Sequence, residues 1–293
     1  MADDFHPMLT PAEMARAAED AAVAKATGRP LKSFLLGLTA GGYIALGFVF
    51  FVTSQVGAAT VPYGLARVVG GIVFATGLAL VVLTGAELFT SSTLTLTARA
   101  SGRITWGQLL LNWLVVYVAN FIGSITIMVL VFLGGVHHNA KSGWGAVVLN
   151  TSAAKLHHTF VESLALGVLC NLMVCLAIWA AYSGRTTTDK VIAVTMPIAL
   201  FVASGFEHSV ANMFMIPLGI TIRQFAGDDF WAQSGLDPSA FADVTWPSFL
   251  AHNLLPVTIG NVIGGGVMIG ILYWTVFHLA VRHDGPASVG PKP

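Results

Sequence analysis

Six long apolar stretches restrict what this chain can fold into more than any other feature. A helix needs about 20 mostly apolar residues to cross a bilayer. The candidate spans lie near 33–54, 64–84, 105–135, 156–183, 188–203 and 246–281, and a further piece near 210–224 is too short to cross alone. Charged residues make up only 10% of the chain, against about 25% in a soluble domain. We therefore predict an all-α membrane protein with six transmembrane helices.

The composition and motifs also exclude several functions. Lys+Arg and Asp+Glu both total 14, so nothing indicates binding to nucleic acid. The sequence contains no P-loop, no Gly-x-Ser-x-Gly and no His-Glu-x-x-His motif. Cys170 and Cys175 lie in one apolar run and are interpreted as buried thiols. We expect no enzymatic activity, no cofactor and no metal site; an intramembrane enzyme that uses His208 and a serine is the alternative from another class.

The basic residues predict which side of the membrane each loop faces. With six crossings both termini lie on one side, and that side collects most of the Lys and Arg near the spans, as cytoplasmic loops do. These residues are Lys25, Arg29, Lys32, Arg99, Arg103, Arg185, Lys190, Arg282 and Lys292. We predict a multi-pass membrane protein with both termini in the cytoplasm and membrane lipid around it.

Three regions are predicted along the chain. Residues 1–32 form a cytoplasmic N-terminal segment without the features of a cleavable signal peptide. Within it, Thr10 and Glu13 fit a capping box and predict an amphipathic surface helix over Pro11–Thr27. Residues 33–282 form the six-span transmembrane domain. Residues 283–293 are rich in Pro and Gly and are predicted to be a disordered cytoplasmic tail.

The two halves of the chain share a sparse pattern. The third span contains Asn-x7-Asn-x2-Gly over 112–123, and the sixth contains the same pattern over 253–264. Upstream of each pattern, Gly-x-Glu interrupts an apolar run, at 85–87 and at 205–207. Three spans per half give the halves opposite orientations. We therefore predict two inverted three-helix repeats, with the second and fifth helices broken near the middle of the membrane.

Ionisable residues within the spans are functional hypotheses, because each costs about 2.5–3.5 kcal/mol in mid-membrane. The candidates are Glu87, Lys155, His157, His158, Glu162, Glu207 and His208. His208 follows the second break, where its imidazole can donate a proton or a hydrogen bond to a passing anion. This role is favoured over a buried histidine that is satisfied by a carbonyl. Glu87 and Glu207, beside Gly85 and Gly205, are predicted to accept N–H bonds from the unwound backbone.

Other polar residues keep two interpretations each. Thr90, after the first break, either donates to a small anion or caps the following half-helix. Lys155 is predicted to start the fourth span at the outer edge, where it either attracts anions or only extends to the headgroups. Asn171 and Asn212 either bind a substrate or bond to a neighbouring helix. A further expectation is that His158 shares a helix face with residue 162, a pair too small for a metal site.

Five segments resemble motifs of the formate/nitrite transporter family. They are Gly-Ala-Glu-Leu-Phe-Thr-Ser at 85–91, Ala-Ser-Gly-Arg at 100–103, and the segments at 155–160, 205–213 and 256–266. The resemblance extends from about residue 9 to the end of the sixth span and is greatest to the bacterial formate channels of that family. Glu87 departs from the Asp expected there but keeps the carboxylate.

The resemblance implies a fold, a function and partners. The protomer would be aquaporin-like, with its own pore, and would assemble as a homopentamer in the bacterial inner membrane. It would move formate and related small monovalent anions, with pH gating or proton coupling; nitrite or hydrosulfide are the alternative substrates. The N-terminal helix would close the cytoplasmic mouth at low pH. A soluble formate-metabolising enzyme is a conceivable partner of unknown identity.

The resemblance also implies roles for individual residues. His208 would be the central polar residue of the pore, with Thr90 across from it. Lys155 would draw anions into the outer vestibule, and Asn171 and Glu207 would tune the neighbourhood of His208. The apolar constrictions would be Leu78 and Phe201 toward the outside, and Phe74 and Leu88 toward the inside.

Overall fold

The computed structural model describes residues 8–283, with side chains described up to residue 277. Within this range the protein consists of helices joined by short turns, without a β-strand. The first half contains α1 Pro11–Thr27, α2 Pro30–Gln55, α3 Tyr63–Thr84, α4 Phe89–Ser92, α5 Thr95–Ala100 and α6 Trp106–Leu133. The second half contains α7 Gly143–Leu156, α8 Phe160–Ala181, α9 Thr187–Ala203, α10 Ser209–Phe225, α11 Gly227–Ser234, α12 Trp246–Ser248, α13 Leu255–Asn261 and α14 Leu272–His283. Nearly all of the predicted tail at 283–293 lies outside the described residues.

Five helical stretches of the described chain are long and apolar enough to cross a membrane. They are Pro30–Gln55, Tyr63–Thr84, Trp106–Leu133, Phe160–Ala181 and Pro238–Phe277. The predicted span at 188–203 corresponds to α9, whose 17 residues rise about 25 Å. The last stretch is not a regular α-helix, because π-helical turns at Phe249–Leu254 and Val262–Ile271 interrupt it.

Threonine capping boxes set where four helices begin. Thr10, Thr105, Thr159 and Thr186 each accept a hydrogen bond from the backbone of the third helical residue, whose side chain bonds back. Such reciprocal bonds satisfy backbone N–H groups that have no partner within the helix. The helix predicted over Pro11–Thr27 is confirmed with these bounds.

The Thr159 box corrects two predictions about the fourth span. The span begins at Phe160, and Lys155 lies in the last turn of the separate helix α7. The carboxylate of Glu162 accepts from the Thr159 N–H and hydroxyl at 2.7 and 2.8 Å. Because His158 precedes the helix and Glu162 faces its cap, the expected shared helix face of these two residues is wrong.

Glycines bring equivalent helices of the two halves into close contact. A Cβ at Gly123 of α6 would collide with the carbonyl oxygen of Leu38 in α2. A Cβ at Gly264 would collide in the same way with the carbonyl oxygen of Val168 in α8. The sequence repeat at 112–123 and 253–264 therefore corresponds to matching helix contacts.

Helix α10 lies at the centre of the molecule. All but a few of its residues are buried, and it packs against α2, α6 and α7. The chain break that precedes α10 therefore lies inside the protein. In a membrane this is the only place where irregular backbone is tolerated without water.

Candidate functional site

Two breaks in the helical backbone form the frame of the site. Gly85 and Gly205 end α3 and α9 in the left-handed region, with φ of 72° and 75°. The next N–H reaches back to close the helix end, from Ala86 to Val81 and from Phe206 to Phe201, both at 3.0 Å. Both glycines predicted as structural breaks are thus found at such turns.

An asparagine holds the first break in place. The side-chain oxygen of Asn120 accepts the N–H of Phe89 at 2.8 Å. Its amide nitrogen donates to the carbonyls of Gly37 and Glu87 at 2.8 and 2.9 Å. One side chain therefore ties together α6, α2 and the unwound segment.

Asn261 repeats this arrangement at the second break. Its oxygen accepts the N–H of Ser209 at 2.9 Å, and its nitrogen donates to the carbonyls of Gly167 and Glu207 at 2.8 and 3.0 Å. Asparagines, and not the glutamates, thus satisfy the unwound backbone, so the prediction for Glu87 and Glu207 is wrong. The signal for the correct residues is the repeated Asn spacing.

The two glutamates bind side chains instead. Glu87 accepts from the Ser33 hydroxyl at 3.1 Å and from the Asn112 amide at 3.3 Å. Glu207 accepts from Asn212 at 2.6 Å and from Asn253 at 3.1 Å. Both carboxylates are buried, because donors on neighbouring helices replace the water that each would bind.

A lysine lies beside each break. Lys155 donates to Glu207 at 2.7 Å, and its side chain is only 14% exposed. Lys25, at the end of α1, donates to Ser91 at 3.4 Å. Burial lowers the pKa of Lys25, and the nearby charge of Glu87 opposes this shift. Sequence reasoning missed Lys25 as a site residue.

His208 and Thr90 connect the two breaks. The imidazole Nδ1 accepts the N–H of Ala211 at 3.1 Å, so we assign the proton of the neutral ring to Nε2. Nε2 then donates to the Thr90 hydroxyl at 3.1 Å. This leaves the hydroxyl proton of Thr90 free for another acceptor. Leu88, not Thr90, occupies the cap position of α4, so the capping interpretation of Thr90 is wrong.

Two cavities approach this pair from opposite ends of the protein. The Lys155 cavity, of about 400 Å³, is lined in part by Arg67, Phe74, Lys155, Phe201 and His208. The Lys25 cavity, of about 640 Å³, is lined in part by Lys25, Val81, Gly85, Ser91, Tyr182 and Lys190. His208 lines one cavity, and the neighbour of Thr90 lines the other. The hydrogen bond between the two side chains therefore joins the lining of the Lys155 cavity to the residue beside the lining of the Lys25 cavity.

Apolar side chains pack beside His208. The rings of Phe74 and Phe201 pack edge to face with centroids 5.8 Å apart, and Phe201 stacks on His208 at 5.9 Å. Leu78 and Leu88 are fully buried nearby in the same core. Phe74 thus belongs with Phe201 at the Lys155 cavity, and the implied pairing of Phe74 with Leu88 is wrong. Phe74 lies one helical turn nearer the Arg67 end of α3 than Leu78 does.

Comparison with known proteins identifies the family. The family model described as formate/nitrite transporter matches residues 12–275. This chain belongs to the formate/nitrite transporter family. It is 52% identical over 276 residues to the formate channel FocA of Escherichia coli (strain K12), covering 94% of this chain and 97% of that one. It is 50% identical to the formate channel FocA of Haemophilus influenzae, covering 92% and 96%.

A solved structure of a family member matches as well. The pentameric formate channel with formate bound has a TM-score of 0.81 and 45% identity, and covers 85% of this chain and 98% of that chain. The predicted resemblance to the formate/nitrite transporter family is therefore confirmed.

In this protein, Asn171 and Asn212, which are predicted to bind a substrate or a neighbouring helix, have different surroundings. Asn171 donates to the carbonyls of Thr90 and Asn261 at 3.0 and 2.6 Å and to the Thr93 hydroxyl at 3.1 Å. It therefore bonds between helices. Asn212 lines the Lys155 cavity while it donates to Glu207. Its side-chain oxygen is buried and has no hydrogen-bond partner among the described residues.

Proposed function

We propose that this protein is a channel for formate and related small monovalent anions. One observation carries the proposal: a hydrogen-bonded histidine and threonine lie between two cavities that open on opposite ends of a membrane protein. The names of the relatives at 52% and 50% identity point to formate as the substrate.

The pathway is selective because its centre is apolar. A hydrated anion cannot pass Phe74 and Phe201 without losing water, which is costly. A weak monoacid drawn into the Lys155 cavity as the anion takes up a proton that the outer solution supplies through the cavity water near His208, and it crosses the apolar region as the neutral acid. Chloride has no such route at neutral pH.

His208 acts in this scheme as a neutral donor. Its Nδ1 already accepts from Ala211, so a second proton on the ring would break that bond. Its Nε2 orients the Thr90 hydroxyl, whose free proton bonds to the passing carboxyl group. Transport depends on pH chiefly through the substrate and the cavity water.

Assembly and orientation complete the proposal. The protomer has six crossings in two inverted repeats with an aquaporin-like arrangement, and five protomers associate, as in the matched pentameric channel. It lies in the bacterial inner membrane with both termini in the cytoplasm, which makes the Lys25 cavity the inner vestibule. Helix α1, which carries Lys25, gates that vestibule at low pH.

Anion uptake into sealed liposomes tests the function. Formate, nitrite, hydrosulfide and chloride uptake are compared from about pH 4 to 8, a range that includes the ordinary histidine pKa of about 6.5. We expect fast formate uptake with little chloride uptake. Nitrite or hydrosulfide uptake without formate uptake would keep the channel and replace the substrate, and uptake of none of the four would contradict the proposal.

A further inference from the structure

We propose that Arg67 forms a binding subsite for small monocarboxylates at the entrance of the Lys155 cavity. The inference rests on the proposed function and extends it to a residue outside the predicted set. Arg67 lies in the second turn of α3 and lines the same cavity as Lys155 and His208.

The charges of the cavity favour Arg67 over Lys155 as the anion's partner. Lys155 forms an ion pair with Glu207 at 2.7 Å, so most of its charge is already neutralised. None of the ion pairs found among the described residues includes Arg67. With one carboxylate for two cations, the excess positive charge of the cavity belongs to Arg67.

Two hydrogen bonds fix the orientation of the guanidinium group. Its Nε donates to the carbonyl of Ala203 at 3.2 Å, and its Nη2 donates to the carbonyl of Val202 at 2.9 Å. The group also lies over the Phe51 ring, 5.7 Å from the centroid. A guanidinium has five N–H donors, and these two bonds leave three of them, including both on Nη1.

Such a pre-oriented fork matches the geometry of a carboxylate. Two parallel charge-assisted bonds can form to its two oxygens, which a lysine ammonium cannot reproduce. Because the side chain is already held by the carbonyls, little conformational entropy is lost on binding. The subsite therefore favours carboxylates over spherical anions such as chloride before the apolar constriction is reached.

A structural role alone is the competing explanation. Arg67 bonds to the carbonyl end of α9, where a cation is stabilised by the helix dipole. The same end carries Phe201, so loss of Arg67 could merely displace the constriction. The two explanations predict changes in different transport parameters. Loss of a helix cap lowers the maximal rate, whereas loss of a binding site raises the half-saturating formate concentration.

Concentration-dependent formate uptake in liposomes makes this separation. For Arg67→Gln we expect the half-saturating formate concentration to rise about tenfold, because charge-assisted bonds are lost, with the maximal rate changed less than about twofold. Arg67→Lys keeps the charge but not the fork, and we expect a rise of about threefold. A lower maximal rate with an unchanged half-saturating concentration would overturn the subsite and leave only the cap.

Arg223→Gln is the matched control. Arg223 also donates to a backbone carbonyl, that of Val244 at 3.4 Å, but is not among the residues that line either cavity. We expect wild-type uptake for this variant. An equal effect in Arg223→Gln and Arg67→Gln would contradict a local role of Arg67.

Thermal unfolding of the detergent-solubilised protein separates this inference from the proposed function. Formate should raise the unfolding temperature of the wild-type protein, and Arg67→Gln should lose this shift. If the wild-type protein shows the shift but carries no formate in liposomes, loss of the shift in Arg67→Gln would keep the subsite and reject formate transport. A shift that persists in Arg67→Gln would reject the subsite whatever the transport result.

Discussion

The two breaks share their backbone frame and differ in what they present to the pathway. Three residues after the turn glycine, the first break has Leu88 and the second has His208. Leu88 makes no capping bond, whereas His208 accepts the Ala211 N–H and bonds to Thr90. The repeat thus keeps the residues that hold the backbone and diverges at the third residue after the turn glycine.

The lysines show the same contrast. Lys155 is fixed by an ion pair to Glu207, but no carboxylate of the described chain lies within ion-pair distance of Lys25. The equivalent glutamate, Glu87, bonds to Ser33 and Asn112 instead. One mouth of the pathway therefore has a fixed cation, and the other has a cation on a helix outside the predicted spans.

Removal of the asparagines tests the shared frame and should have the largest effect. Asn261→Ala leaves the Ser209 N–H and the Glu207 carbonyl without partners and removes a second bond to the helical carbonyl of Gly167, and we expect a loss of about 2–6 kcal/mol in stability. Asn120→Ala should cost the same, because it makes the same three bonds. Thermal unfolding in detergent measures both, with the exposed Asn139→Ala as control. Strongly unequal losses would show that the two frames are not equivalent.

Neutralisation of the glutamates tests the difference between the lysines. Glu207→Gln leaves the largely buried Lys155 without a counter-ion, and we expect a loss of about 3–5 kcal/mol. Glu87→Gln breaks no ion pair and should cost about 1–2 kcal/mol. Chemical denaturation of the two variants beside the wild type gives the comparison. A larger loss for Glu87→Gln would reverse our assignment of the fixed cation.

His208→Leu makes the second break present the same residue as the first. The Thr90 hydroxyl is then no longer oriented toward the passing carboxyl group, and we expect formate uptake at neutral pH to fall about a hundredfold, as when a positioned hydrogen-bond donor is removed. His252→Leu, at an exposed position, is the control. Formate uptake that stays unchanged from about pH 4 to 8 would remove His208 from the mechanism.

Acid should destabilise the region of α7, which carries Lys155, more than α1, which carries Lys25. Helix α1 begins with the Thr10 capping box, but α7 follows a turn in which Ala140, Lys141 and Ser142 all have positive φ. Beside that turn, His137 is buried against Phe132, and burial with nearby His138 lowers its pKa to about 4.

The sign of the pH effect follows from this lowered pKa. The unfolded chain binds a proton near pH 6.5, whereas the folded protein binds it only near pH 4, so stability falls over that interval on acidification, by up to about 3 kcal/mol. Below pH 4 the effect of His137 is constant. Thermal unfolding of His137→Phe should show a smaller pH slope than the wild type; an identical slope would place the acid-sensitive group elsewhere.

Local patterns predicted much of this structure. The apolar runs, the Thr10 capping box and the Gly-x-Glu interruptions depend only on neighbouring residues, and they located helices and breaks within a few residues. The repeated asparagine spacing marked the frame, although their partners were not predicted. Those partners lie on helices about 30 to 90 residues away in sequence, and only the fold brings them together.

The wrong predictions concern features that depend on how a helix is rotated about its own axis and on where it lies relative to its neighbours. Whether Phe74 meets Phe201 or Leu88 depends on how α3 is rotated, and an apolar helix gives little signal of rotation. Lys25 was missed because its helix was interpreted as a surface element. A signal was present: Lys25 and Lys155 each lie five residues before the first residue of a span, Pro30 and Phe160.

Asn120 and Asn261 each act as a clamp on the backbone at one break, and these two asparagine clamps have a mechanical consequence. Each clamp joins two long helices to the unwound segment through one side chain, so the centre cannot widen unless the helices also separate. Glycine contacts without room for a methyl group resist that separation. We expect the middle of the pathway to behave as a rigid frame, and any opening and closing to take place at its two mouths, where α1 and α7 end.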